Sequence, residues 1–162
     1  YFDTMDENGR FALKQRLAKL RTEEFRKGEI LPQGGLPDTT AADAPEFLKQ
    51  YVAYYKSPNR GYHPRSLNSN MGWNITNQLM RLNQNLWIAA PEVRTPVLIV
   101  HGEKAHSRYF GEEAYQKLTS GKYADNKRML IVPDATHCDL YDGGEGNFIP
   151  WSEITNFYKS NL

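Results

Sequence analysis

The spacing of apolar residues changes partway along this chain. From Phe11 to Arg26, Leu13, Leu17 and Leu20 recur at helical intervals among Lys, Arg and Glu. So narrow a stripe predicts a surface helix, stopped at Gly28. Residues 32–44, rich in Pro, Gly, Thr and Asp, predict a loop. Pro45 opens a second helix with Phe47, Leu48, Tyr51, Val52 and Tyr55 on one face, ending before Ser57-Pro58-Asn59-Arg60-Gly61. Tyr62 to Asn70 reads as irregular. A third helix is expected from about Trp73 to Leu82, then a short helical turn at Leu86-Trp87-Ile88.

At Pro96 the period is lost. Val97-Leu98-Ile99-Val100 is a continuous apolar run between Pro96 and Gly102, and Met129-Leu130-Ile131-Val132 repeats it. Runs of this kind want both faces covered, as strands of a parallel sheet do. A helix is expected from Gly111 to about Leu118, and another from Pro150, with Trp151, Ile154, Phe157 and Tyr158 on one face. The order is βαβα, the unit of parallel sheets. Two strands are few for a stable doubly wound domain, so sheet partners are expected upstream or on another chain. The chain opens on Tyr1 rather than Met, which agrees with missing upstream sequence.

Composition narrows the class. At 162 residues, 40% hydrophobic and 24% charged, the chain can build a core and is not of disordered type. A net charge of +1 gives no electrostatic reason to expect nucleic acid or an anionic membrane as partner. No apolar run is long enough to span a bilayer, and no segment has the pattern of a signal peptide. The single cysteine, Cys138, excludes an intrachain disulfide and makes a reducing cytoplasm the default.

In open α/β sheets, sites form beyond the carboxyl ends of the strands. Two such segments are legible: His101-Gly102-Glu103-Lys104-Ala105-His106-Ser107 and Pro133-Asp134-Ala135-Thr136-His137-Cys138-Asp139. If the strands are neighbours, these loops face each other. Thr95 to Glu103, an apolar run ending in His-Gly, resembles the penultimate strand of an α/β-hydrolase. Met129 to His137 resembles the last strand and the loop that delivers the catalytic histidine. Together with His63 to Asn70 and the stretch from His101 to Phe110, these segments resemble a bacterial branch of α/β-hydrolases related to dienelactone hydrolases and peptidases. The resemblance covers roughly residues 62–162, and residues 1–61 would correspond to cap helices.

The resemblance implies an α/β fold: the C-terminal part of a doubly wound, mostly parallel α/β-hydrolase sheet, preceded by helical cap-like segments. It implies hydrolysis of a small ester or acyl substrate through a Ser–His–acid triad, without cofactor or metal. His137 would be the catalytic histidine, base and then acid. The family's triad runs nucleophile, acid, histidine, with the nucleophile on a G-x-S-x-G turn. None of the seven serines, Ser57, Ser66, Ser69, Ser107, Ser120, Ser152 and Ser160, has that spacing. Ala105 and His106 stand where the family places its Asp. The acid is therefore either Glu103 or a residue outside the chain.

Other readings are weaker. His101 reads as a packing histidine, and His106 as a neutral replacement or a solvent-facing ring. Cys138 has no base of its own, and Asp139 and Asp142 read as loop-holding residues. His101, His106, His137 and Cys138 are zinc-compatible types, but their spacing matches no tight zinc pattern. Tyr51, Tyr54, Tyr55 and Trp73 read as packing or as the lining of an acyl or aryl pocket. Two functions survive: a hydrolase half that supplies the histidine but lacks the nucleophile and is inactive alone, or a non-catalytic module. The latter would self-associate, as a dimer for example, or pair with the missing N-terminal half.

Overall fold

The computed structural model describes residues 5–84 and 86–161. Contacts divide the chain into two compact units, Tyr1–Ala44 with Val52–Asn85, and Pro45–Tyr51 with Leu86–Leu162.

The first unit is built on helix α1 (Glu7–Lys27). Asp6 caps its start, accepting from the Gly9 amide at 2.7 Å, and Gly28 ends it in the left-handed region at φ 69°. Leu17 is fully buried. Glu24 is buried too, a position the polar sequence around it conceals. Its Oε1 accepts from the Leu31 amide and its Oε2 from the Thr76 hydroxyl, each at 3.1 Å. Those donors offset the cost of desolvating a carboxylate. The chain from Ile75 forms a 3-10 turn, and α1 packs on it and on the short helix that follows. Gln33 and Trp73 exchange backbone hydrogen bonds at 3.0 and 2.9 Å. A short helix at Leu67–Asn70 occupies the stretch expected to be irregular.

Helix α2 (Glu46–Tyr55) starts after Pro45, and its residues up to Tyr51 belong to the second unit. After the short helices α3 (Leu67–Asn70) and α4 (Gln78–Asn83), the second unit continues with β1 (Val97–Gly102), α5 (Arg108–Leu118), β2 (Lys127–Val132), α6 (Asp139–Asp142) and α7 (Trp151–Asn161). The strands are parallel neighbours, in register from Val97 opposite Lys127 to Gly102 opposite Val132. Their carboxyl ends therefore lie side by side. Lys127 is 4% exposed, and its Nζ donates to the Thr95 and Tyr123 carbonyls at 3.1 Å, tying the start of β2 to the chain entering β1.

The expected fold class needs correction. Among the described residues the sheet has two strands only, and the elements are otherwise helical. This is not a doubly wound, mostly parallel α/β-hydrolase sheet. It is a mainly helical chain carrying one parallel βαβ unit. The physical reason lies in the sequence: only two runs are apolar enough for two-sided burial, and among the described residues no third strand forms beside them. Every residue of β1 before Gly102 stays partly exposed. No helix among the described residues is long and apolar enough to cross a membrane.

Candidate active site

Three backbone features join the two strand-end loops. Glu103 N donates to the Val132 carbonyl and Lys104 N to the Ala135 carbonyl, both at 2.9 Å. Gly102 is buried, and a Cβ there would lie 2.3 Å from the Ala135 oxygen and 2.7 Å from that of Thr136. Only glycine lets the second loop fold across the end of β1 this closely.

This closure places His137 at the mouth of the strands, half-buried. Its Nδ1 lies 2.9 Å from Ser107 Oγ and its Nε2 2.6 Å from the Tyr141 hydroxyl. Asp139 shapes the loop: its Oδ2 accepts from the Thr136 amide at 2.8 Å and the Thr136 hydroxyl at 2.7 Å. Asp142 Oδ1 accepts from the Gly144 amide at 3.0 Å. Cys138, the next residue, is buried.

Aromatic rings enclose the imidazole. Tyr51 lies 5.4 Å from it and Tyr141 5.2 Å, centre to centre, while His106 stacks on Phe47 at 4.5 Å and stands 6.0 Å from His137. Beside His137 opens a cavity of about 260 Å³, lined by apolar Val100, Ala105, Leu140, Ile149 and Ile154 and by His101. Burial lowers the His137 pKa below its ordinary value of 6.5, and His106 and then His101 lower it further. Burial lowers those of His101 and His106 as well, opposed at His101 by Glu112. In all three rings the burial favours the neutral form, the one in which an imidazole can take a proton.

The two residues singled out from sequence are not brought together. Glu103 is exposed, and its Oε2 accepts from the Asp134 amide at 3.0 Å, while neighbouring Lys104 pairs with Asp134 at 2.6 Å. Glu103 therefore stitches the loops and makes no hydrogen bond to His137. His101 packs beneath α5, where a Cβ on Gly111 would come within 2.4 Å of its ring. Among the described residues, no group of three or more His, Cys, Asp or Glu is arranged to hold a metal ion. Ser107 and Tyr141 were not recognised from sequence as partners of His137. The only signal for Tyr141 was its i+4 spacing from His137.

No protein-family model matches the chain. It is 36% identical to the uncharacterized protein PA2218 of Pseudomonas aeruginosa over all of its own length and 42% of the relative's. It is 30% identical to the uncharacterized protein YcjY of Escherichia coli, over 88% of this chain and 44% of that one. The crystal structure of the hypothetical protein PA2218 superposes on the whole chain with a TM-score of 0.83 at 35% identity, across 48% of that structure. The chain thus spans less than half the length of these relatives.

Proposed function

We propose that this chain supplies the histidine of a serine-type hydrolase acting on small ester or acyl substrates, with the nucleophile on polypeptide outside it. The observation that carries this reading is the half-buried imidazole of His137, hydrogen-bonded at both nitrogens beside an apolar cavity at the ends of two parallel strands. The resemblance of both strand-end loops to α/β-hydrolases points the same way. With the Tyr141 hydroxyl turned away from Nε2, His137 would take the proton of the serine hydroxyl there as its oxygen bonds to the acyl carbon, then return that proton to the leaving alcohol or amine. Water repeats the cycle to free the acid. The cavity suits the apolar part of the acyl or alcohol group. The lone, buried thiol of Cys138 suits a reducing compartment such as the cytoplasm.

A serine-directed fluorophosphonate tests the reading. The isolated chain should take no label. Joined to the half of the Pseudomonas aeruginosa relative that it does not cover, it should label at a serine of that half, and His137→Ala should suppress the reaction. Label on one of this chain's own serines would overturn the proposal.

A second reading has an observation of its own. Ile88 is 79% exposed, Trp151 61% and Tyr158 57%, and each strand is paired on one edge only among the described residues. Such surface favours a chain that pairs with a second copy of itself and catalyses nothing. Sedimentation equilibrium separates the readings when combined with the labelling: a concentration-dependent dimer and no labelling of the joined protein would support the second.

A further inference from the structure

The hydrogen bonds of His137 bear directly on its tautomer. A neutral imidazole carries one proton on two nitrogens, and here each nitrogen has a single hydroxyl partner. The phenol of Tyr141 is the more acidic and the better donor, and its contact is the shorter, 2.6 Å against 2.9 Å. This argues for Tyr141 as the donor to the Nε2 lone pair, with the ring proton on Nδ1 and donated to Ser107 Oγ.

Ser107 is held for this task. It stands at the N-cap of α5, where a serine ordinarily turns its hydroxyl back onto the helix amides. Its side chain makes no such bond. Its carbonyl accepts from the Phe110 amide at 3.1 Å, which fixes the backbone and leaves the hydroxyl directed at His137. The nearby carboxylates are engaged elsewhere: Glu103 with the Asp134 amide, Asp139 with Thr136, Glu112 with Arg108. The groups facing His137 are His106 and His101 from the first loop and β1, Tyr51 from α2 and Tyr141 from α6.

We infer that Ser107 is the positioning residue of His137, a neutral hydroxyl in the place of a triad acid, holding the Nδ1–H tautomer and leaving Nε2 as the basic nitrogen. A hydroxyl orients the ring as an acid does but brings no negative charge to the imidazolium. The inference rests on the hydrolase reading only for its catalytic meaning.

Long-range nitrogen–proton NMR of the full chain with labelled histidine reads the tautomer directly, the His137 signal being identified by its loss in His137→Gln. The wild-type ring should show the Nδ1–H pattern. Ser107→Ala should shift the population toward Nε2–H or a mixture. Ser107→Asp should raise the His137 titration midpoint by about 1–3 units, as an opposite charge at hydrogen-bond distance does. The ring pattern of His101, packed beneath α5, if retained, certifies the fold of each variant. A dominant Nε2–H pattern in the wild type overturns the inference. So does an unaltered pattern in Ser107→Ala, or an unmoved midpoint in Ser107→Asp. The readout needs no turnover, so a failure of ester hydrolysis would remove the hydrolase reading and leave this result standing.

Discussion

The Ala135 carbonyl oxygen sits 2.3 Å from where a Cβ of Gly102 would be, a space no side chain can occupy. Backbone-to-backbone approach of this kind sets where the loop after β2 lies, and with it where His137 stands. Gly102→Ala must push the loop away. The expected cost is about 1–3 kcal/mol, typical of forcing atoms into a packed site. Urea unfolding measures it, and an unchanged midpoint would show that the loop position is not set here.

Tyr141 occupies Nε2, the nitrogen that would serve a nucleophile. Removing its hydroxyl should expose that nitrogen. A hydrogen bond worth about 1 kcal/mol corresponds to about fivefold in a rate. Tyr141→Phe should therefore raise the rate of His137 modification by diethylpyrocarbonate by about that factor. Mass spectrometry of the labelled peptide is the readout, and an equal or slower rate would count against the contact.

The same geometry was only partly legible in sequence. The apolar runs at Val97 and Met129 announced two strands, and their parallel pairing follows from the helix between them, but the two-sided burial they promised is not met: the residues of β1 before Gly102 stay partly exposed. Capping chemistry marked the ends of α1 and α2, through Gly28 and Pro45. The extent of the sheet was misjudged because a two-sided apolar run shows that a strand wants cover without showing what covers it. Glu24 was hidden for a different reason: a carboxylate among Lys and Arg reads as solvated, and only the fold brings Thr76 and the Leu31 amide to it. Ser107 reaches His137 across 30 residues of sequence, a pairing that no local spacing encodes.

Glu103 was the nearest carboxylate along the chain, but its side chain accepts from the Asp134 amide. Glu103→Gln retains an acceptor there and loses only exposed charge. Stability should change by less than about 1 kcal/mol, the scale of exposed ion pairs. The His137 titration midpoint should stay where it is. NMR titration checks this, and a marked fall in that midpoint would show that Glu103 reaches the ring in solution.

Acidity should weaken the second unit. His101, His106 and His137 have folded pKa values below the ordinary 6.5, so the unfolded chain binds protons first as pH falls. Their contribution to stability is complete above pH 6.5 and declines below it. The urea midpoint should drop through that range, and replacing His137 by Gln should flatten the drop. A midpoint that rises on acidification would contradict the burial of these rings.

The central claim is that His137 is a base serving a nucleophile the chain does not itself contain. Turnover of a short p-nitrophenyl ester tests it most directly, measured on the chain alone, on the chain joined to the uncovered half of its Pseudomonas aeruginosa relative, and on the joined protein with His137→Ala. The account predicts no turnover by the chain alone, turnover by the joined protein, and a loss of about 10²–10⁴-fold in the variant. Hydrolysis by the isolated chain, a folded but inert joined protein, or full activity without His137 would contradict it.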